Sequence, residues 1–366
     1  MQANHIRPLT GIRFFAAAWV VSYHFHPWMV MLCPFLKLLN PFWNLGYEAV
    51  PLFFLLSGFI LSHNYFAEYS LKEHPKFIFL RFARLWPVHF VTLMLLIASP
   101  GLIHIKWDTL KSLAEELFMV RSWYHSEPAW NTPAWSISAE WFAYICVFPL
   151  AFYLFKHVRR WPSLAIVVTL FLAAQASPLK WELFTGQNKC GTIFFLFLAG
   201  SGLYRMRCLL KDPPAKAIVT CGLLLFAAYV MFNQNLSEFV LYVAFALLIF
   251  GLSYERGYVA RLLSTRLIVY GGLASYSLYM THFLIIQTWT FYSWSYWETI
   301  PKLSIAIRLL LLLLMAGVFI AAAVLFYRCI EEPANRRLRQ LLGLRSGPLK
   351  SVWPQRESAA HEKIHI

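Results

Sequence analysis

The chain has 366 residues, of which 59% are hydrophobic and 13% are charged, and its net charge at pH 7 is +15. Soluble domains are about half apolar and a quarter charged, so this composition excludes a water-soluble globule and predicts a polytopic membrane protein. The excess of Lys and Arg has two interpretations: nucleic-acid binding, or cytoplasmic loops that obey the positive-inside rule.

A helix needs about 20 mostly apolar residues to cross the hydrocarbon core of a bilayer. Ten runs approach this length and predict an all-α membrane bundle of about ten transmembrane helices, although the fifth, sixth and eighth are short enough for two of them to form one re-entrant element. The runs are Leu9 to Met31, Gly46 to Tyr65, Leu85 to Leu102, Trp135 to Phe155, Ser163 to Ala176, Gly191 to Tyr204, Ala217 to Phe232, Phe239 to Leu252, Leu267 to Trp289 and Leu303 to Tyr327.

The charges test this count, because an error of one span would invert the side of every later loop. With the N-terminus inside and the first run as an uncleaved span, 24 of the 32 Lys and Arg but only 8 of the 17 Asp and Glu fall on the inner side. We therefore predict that both termini are cytoplasmic. The net charge is then explained by orientation, and we predict no nucleic-acid partner.

The same pattern predicts two parts of the chain: a transmembrane domain, residues 1–328, and a basic cytoplasmic tail, residues 329–366. The tail contains a basic helix from Ala334 to Leu344. The longest outer segment contains an amphipathic stretch, Leu110 to Val120, which we expect to lie against the membrane surface.

Ionisable groups inside a span are costly, so each is a hypothesis about function. Arg13 and His24 are 11 residues apart, which places them within about 20° of each other around a helix and about 16 Å apart along it. A snorkelling Arg and a His bonded between helices would account for each residue singly, but not for their shared face.

A second cluster, Arg81 and Arg84, stands at the cytoplasmic start of the third run. Their i, i+3 spacing forms a fork that suits phosphate oxygens, and Arg13 would complete a phosphate pocket open to the cytosol. The simpler interpretation is that both anchor lipid headgroups.

Three further polar positions stand out in later spans. Glu140 is predicted to lie in the outer third of the membrane, where it would orient His24 if the two side chains meet. Ser57 precedes Gly58 at mid-depth, where close helix packing is the simpler explanation. The stretch from Ser275 to His282, which includes Tyr279, is too polar to face lipid and should line a cavity. His24 and His26 point to different helix faces, so we predict no metal site.

Several of these segments, in order, resemble the integral-membrane acyltransferase-three family, the O-acetylases of bacterial surface polysaccharides. The resemblance covers about Pro8 to Arg337, and its most specific parts are the Arg13-X10-His24 spacing and Ser57-Gly58-Phe59. The other segments are Pro51 to Leu56, Arg81 to Pro87, Trp135 to Tyr144, Ser275 to His282 and Glu332-Pro333.

The resemblance implies a multi-pass protein of the bacterial cytoplasmic (inner) membrane that transfers an acyl group, usually acetyl from acetyl-CoA, to a saccharide hydroxyl on the far side. It implies that His24 is the catalytic histidine and that Glu140 is required for activity. It assigns Arg13, Arg81 and Arg84 to the CoA end. Many members have a polar residue where Pro51 stands, so this protein would work without that polar residue or use Glu48 in its place.

The spacing suits this chemistry. An extended pantetheine arm reaches on the order of 15 Å, close to the rise from Arg13 to His24. His24 would act as a base or as an acyl relay, with Ser57 and Tyr279 as candidate oxyanion donors. No cofactor is expected to stay bound; acyl-CoA, the acceptor and membrane lipids are the expected partners. A transporter of a small solute or sugar precursor is the main alternative, although no inverted repeat is visible.

Overall fold

The computed structural model describes residues 5–99, 110–123, 130–176, 190–233 and 235–343, and this part of the chain contains helices and no strands, as the sequence predicts. The fourth long helix, α5, contains a π-helical turn at Ala143–Val147, and a second π turn, Tyr327–Glu331, links α13 to α14. The helices are α1 (Arg7–Leu32), α2 (Ala49–Tyr65), α3 (His74–Ile97), α4 (Leu110–Leu117), α5 (Ala134–Phe155), α6 (Arg160–Ala176), α7 (Cys190–Leu209), α8 (Ala215–Phe232), α9 (Glu238–Leu252), α10 (Tyr258–Leu263), α11 (Arg266–Leu273), α12 (Ser275–Ser293), α13 (Ile305–Phe326) and α14 (Glu332–Leu341).

Six helices of the described chain are long and apolar enough to cross a membrane: α2, α3, α5, α7, α8 and the continuous α13–α14 segment. Two more, α6 and α9, are apolar but shorter. The 26 residues of α1 would extend about 39 Å, but α1, which contains Arg13, His24 and His26, is not among these six. The total of ten spans and the side of each terminus remain predictions.

Two elements differ from their predicted limits. Helix α3 begins at His74, 11 residues before the predicted start at Leu85, because Pro75 favours a helix start and charged residues do not prevent a helix from extending out of lipid. The ninth run is not one helix but α11 and α12, which meet at Ala274 (φ −83°, ψ 1°). Hydropathy measures how well a segment suits lipid, so it shows neither the polar start of α3 nor the break between α11 and α12.

Glycine allows α2 and α7 to pack with their backbones in contact. A Cβ atom on Gly58 would stand 2.0 Å from the carbonyl oxygen of Phe197, and one on Gly200 would stand 2.0 Å from that of Leu55. Ser201 Oγ also donates to the carbonyl of Gly58 (3.3 Å). Small residues in membrane helices serve this purpose, so Gly58 has a packing role, and its position fixes where Ser57 points.

Helix α4 is held against the middle of α3. Trp86 Nε1 donates to the carbonyl of Leu117 (3.2 Å), and His89 Nε2 hydrogen-bonds the carbonyl of Glu116 (2.7 Å). Protein therefore covers one side of this helix, and its position against the membrane surface stays a prediction. The packing was invisible in the sequence because an amphipathic helix can turn its apolar face to lipid or to another helix.

The basic helix α14 follows α13 and the π turn without a break, so the predicted boundary between residues 328 and 329 falls inside a continuous helical segment. Helix α14 packs against α3. This contact brings the start of the tail next to the arginines of α3. The division into two domains remains a prediction.

Candidate active site

Helix α12 connects the polar residues of the site to four other helical segments. From Ser275 to His282 every residue is at least 93% buried, yet six of these eight residues carry polar side chains that need partners. Tyr276 OH donates to the carbonyl of Leu85 on α3 (2.6 Å), and Ser277 Oγ donates to Glu331 Oε2 (2.7 Å). This stretch was expected to line a cavity; hydrogen bonds to other helices and to nearby backbone carbonyls satisfy its hydroxyl groups instead.

Two histidines meet between α1 and α12. His24 Nδ1 lies 3.3 Å from His282 Nε2 and 3.1 Å from the carbonyl oxygen of Val20, one turn earlier on α1. The His282 side chain is fully buried, and its Nδ1 lies 2.5 Å from the carbonyl oxygen of Tyr279. His24 remains partly exposed. The pair therefore combines one accessible imidazole with one that is fixed by its own helix.

Basic residues from three helices form the second part of the site. Arg84 forms an ion pair with Glu331 (Nη2 to Oε1, 3.8 Å), and Arg13 interacts electrostatically with both of these residues. Arg81 Nη2 donates to Tyr65 OH (2.9 Å). Helix α14 adds Arg339, which interacts electrostatically with Arg81 and Arg84. We call Arg13, Arg81, Arg84 and Arg339 the arginine cluster.

The neighbouring His5 shows the sign of the potential here. Partial desolvation, followed by the positive charges of Arg84, Arg13 and Arg339, lowers the pKa of His5. A lowered histidine pKa beside three guanidinium groups indicates an electropositive region. Such a region attracts anions, and guanidinium groups are suited to phosphate oxygens in particular.

The structure assigns Glu140 to the arginines and not to His24. Its Oε1 accepts hydrogen bonds from Ser57 Oγ (3.0 Å) and from Tyr144 OH, and the carboxylate interacts electrostatically with Arg13. Within the described ranges no hydrogen bond joins Glu140 to His24, whose ring contacts His282 instead. The condition for orienting His24 is therefore not met, because the carboxylate is bound by donors on α2 and α5. The place of Glu140 in the outer third of the membrane stays a prediction.

The two candidate oxyanion donors are separated. Ser57 is bound to Glu140, whereas Tyr279 OH lies 2.7 Å from Ser136 Oγ and 3.3 Å from the carbonyl oxygen of Pro133. The Tyr279 ring is near the histidines, since its centroid is 5.7 Å from that of His282. Of the two hydroxyl groups, only that of Tyr279 belongs to a residue beside the histidine pair.

Three residues with clear positions in the site have no individual role in the sequence interpretation. His282 ends the polar stretch of α12, Glu331 precedes the Glu332-Pro333 motif, and Arg339 is one of several tail arginines. A carboxylate or an imidazole in a buried segment indicates a functional residue from the sequence alone. The partners of these residues could not be predicted, because spacing along one helix does not show which other helix faces it.

Pro51 is buried in the first turn of α2, a position at which a helix tolerates proline. The proposed substitute, Glu48, is also fully buried and interacts electrostatically with Tyr47, Tyr229 and Tyr242. In the described part of the chain, no three His, Cys, Asp or Glu side chains are grouped as metal ligands would be.

The comparison with known families decides the relationship. The acyltransferase domain family, acyltransferase three, matches residues 7–328. The chain belongs to this family. Family membership and the six long apolar helices together indicate a multi-pass membrane protein.

Among curated proteins, the chain is similar to acyltransferase MdmB from Streptomyces mycarofaciens, with 34% identity over 167 residues. The alignment spans 42% of this chain and 41% of that protein, which is less than half of either. No solved structure matches the chain. The relative is an acyltransferase by name, and the match leaves donor and acceptor open.

Proposed function

We propose that this protein transfers an acyl group, acetyl in the first instance, from cytosolic acyl-CoA to a hydroxyl of a cell-surface or lipid-linked saccharide at the bacterial cytoplasmic membrane. One observation carries the proposal: α1 is a single helix that holds Arg13 in the arginine cluster and His24 in the histidine pair. Their separation of about 16 Å along the helix matches the reach of a pantetheine arm.

The arginine cluster supports a role at the phosphate end of the donor. Arg13, Arg81, Arg84 and Arg339 converge with Glu331 as an acidic partner, which leaves an excess of positive charge. The phosphates of CoA carry several negative charges, and guanidinium groups bind them through paired N–H donors. Glu140, held by Ser57 and Tyr144, balances Arg13 and keeps its guanidinium group in place.

At the other end, His24 acts on the acceptor. A neutral imidazole takes the proton of the acceptor hydroxyl, the oxygen attacks the thioester carbonyl, and the C–S bond then breaks. Tyr279 is positioned near enough to the histidine pair to donate to the developing oxyanion if its hydroxyl group turns from Ser136. An acyl-His24 relay gives the same products in two steps.

The experiment is incubation of membranes that contain the protein with radiolabelled acetyl-CoA. Label should enter the saccharide fraction, and His24→Ala should reduce its entry by at least 100-fold because the base is removed. Arg13→Ala should mainly raise the KM for acetyl-CoA. Activity comparable to the wild type in His24→Ala, at equal protein levels, would overturn the assignment of His24.

The same assay separates the enzyme from the transporter. Uptake of an intact solute, without movement of label from CoA to saccharide, would support the transporter and contradict the proposal.

Acid quenching during turnover distinguishes the two enzyme mechanisms, because a relay leaves label on the protein in the wild type and none in His24→Ala.

A further inference from the structure

The contact between His24 and His282 fixes the position of the protons on both rings. His282 Nδ1 lies 2.5 Å from the carbonyl oxygen of Tyr279, and a carbonyl only accepts hydrogen bonds, so this nitrogen carries a proton. In a neutral imidazole the other nitrogen is then an acceptor. His282 Nε2, which faces His24, therefore presents a lone pair.

The same argument applies to His24. Its Nδ1 faces two acceptors, the Val20 carbonyl oxygen at 3.1 Å and His282 Nε2 at 3.3 Å. It must carry the proton and share it between them, which leaves Nε2 of His24 with the lone pair. A doubly protonated His282 would reverse this arrangement and set the Nδ1 lone pair of His24 against that of the Val20 carbonyl.

We propose that His282 is a positioning residue that holds His24 in the tautomer with Nε2 as the base, and that it stabilises the imidazolium formed during transfer. This inference rests on the proposed acyl transfer. The role corresponds to that of the third group in a nucleophile–base–orienter arrangement, which sets the tautomer of the histidine and supports its positive charge. Here a neutral imidazole takes the place of the usual carboxylate.

The proton balance follows from these positions. The acceptor hydroxyl gives its proton to His24 Nε2 while its oxygen forms a bond to the thioester carbon. The Nδ1–H of His24 then belongs to a cation, and its hydrogen bond to His282 Nε2 becomes charge-assisted and stronger. When the C–S bond breaks, the departing thiolate takes the proton from Nε2, and His24 returns to its starting tautomer.

The surroundings of His282 suit a fixed group. Its side chain has no exposed surface, and its ring packs near those of Tyr279 and Phe283, with centroids 5.7 and 6.4 Å away. The carbonyl that holds Nδ1 belongs to the same helix, three residues earlier. His282 therefore presents one orientation to α1, whereas His24 remains partly exposed and able to meet a substrate.

The first test does not depend on activity. The full-length protein, labelled with 15N-histidine and placed in lipid nanodiscs, should show the His24 signal with its proton on Nδ1; the signal is assigned by its loss in His24→Gln. In His282→Leu only the Val20 carbonyl still accepts from Nδ1, so the fraction of His24 in this tautomer should fall. A wild-type His24 protonated at Nε2, or an unchanged tautomer in His282→Leu, would overturn the inference.

The second test separates positioning from packing. In the labelled acetyl-CoA assay, His282→Leu should lower kcat on the order of 100-fold and leave the KM for acetyl-CoA within about twofold. His282→Gln, whose Oε1 can stand where Nε2 stands, should recover at least tenfold over His282→Leu. His26→Leu is the matched control: His26 is on α1 and bonds Asn40 (2.9 Å), so its kcat should stay near that of the wild type.

The outcomes distinguish the two proposals. If the wild type moves no label from acetyl-CoA, the proposed function fails, while the tautomer measurement still tests the histidine pair. If the wild type is active and His282→Leu keeps its kcat, or if His282→Gln recovers nothing, the positioning role is wrong and the proposed function stands.

Discussion

Individual buried side chains in this protein are fixed by hydrogen bonds from more than one helix. Glu140 on α5 accepts from Ser57 on α2 and from Tyr144 on its own helix, and Ser277 on α12 reaches Glu331. A buried polar group without a partner costs on the order of 1–3 kcal/mol. Removal of either partner therefore affects stability as well as chemistry, and tests of this site need conservative variants.

Outside the membrane spans, Glu116 on α4 makes a prediction about pH. Burial raises the pKa of its carboxyl group from 4.5 to about 7, although Arg121 and the backbone N–H of Trp130 act in the opposite direction. The folded protein thus binds this proton more tightly than the unfolded chain. The contribution to stability is greatest below about pH 4.5 and declines as the pH rises to about 7.

Glu116→Gln should abolish this decline. Its Tm should match that of the wild type near pH 4 and exceed it near pH 8, because glutamine stays neutral. The measurement is a series of thermal unfolding curves in detergent across this range. Glu298→Gln, which changes an exposed carboxylate, is the control and should show the wild-type trend. Parallel curves for the wild type and Glu116→Gln would contradict the prediction.

At this scale the sequence identifies residues better than it identifies pairs. Arg13, His24 and Glu140 stand out because each is ionisable in an apolar run. The partners that decide their roles, His282 for His24 and Ser57 for Glu140, come from helices that are distant in sequence. The relative rotation of two helices depends on packing along their whole length, so it is not contained in the spacing within either one.

At the scale of elements, the contact between α2 and α7 controls the position of Ser57. Gly58→Ala would place a Cβ atom 2.0 Å from the Phe197 carbonyl oxygen, and backbone atoms cannot turn aside as a side chain can. We expect a loss of about 1–3 kcal/mol in stability. The reference is Gly317→Ala on α13, where no atom lies within 4 Å, and it should be at least as stable as the wild type. Equal Tm values for the two variants would refute this role.

Helices were predicted well where lipid dictates their composition. The limits of α2, α5 and α8 agree with the apolar runs to within about three residues. The polar start of α3 and the break at Ala274 were missed, because hydrogen bonding within the chain, and not hydropathy, determines where a helix begins or stops. The first π turn begins shortly after Glu140, and the second ends at Glu331. Such turns often occur at functional sites.

At the scale of the whole molecule, the distribution of Lys and Arg predicts orientation. Lys302, between α12 and α13, should face the outside, and Arg337 on α14 should face the cytosol. Both side chains are exposed. In a variant without its six native cysteines, Lys302→Cys should react with a membrane-impermeant maleimide on intact cells. Arg337→Cys should react only after the cells are permeabilised, and the reverse pattern would invalidate the topology.

The unbroken helix α1 also limits which donors can react. It sets a distance of about 16 Å between the arginine cluster and the histidine pair, and a helix does not shorten to fit a smaller molecule. In an acyl phosphate, the reactive carbon and the phosphorus share one oxygen atom, so such a molecule cannot reach both ends of the site at once. Within the proposed mechanism, the protein therefore selects its donor by length: activated acyl groups on long carriers are accepted, and equally reactive short ones are left untouched.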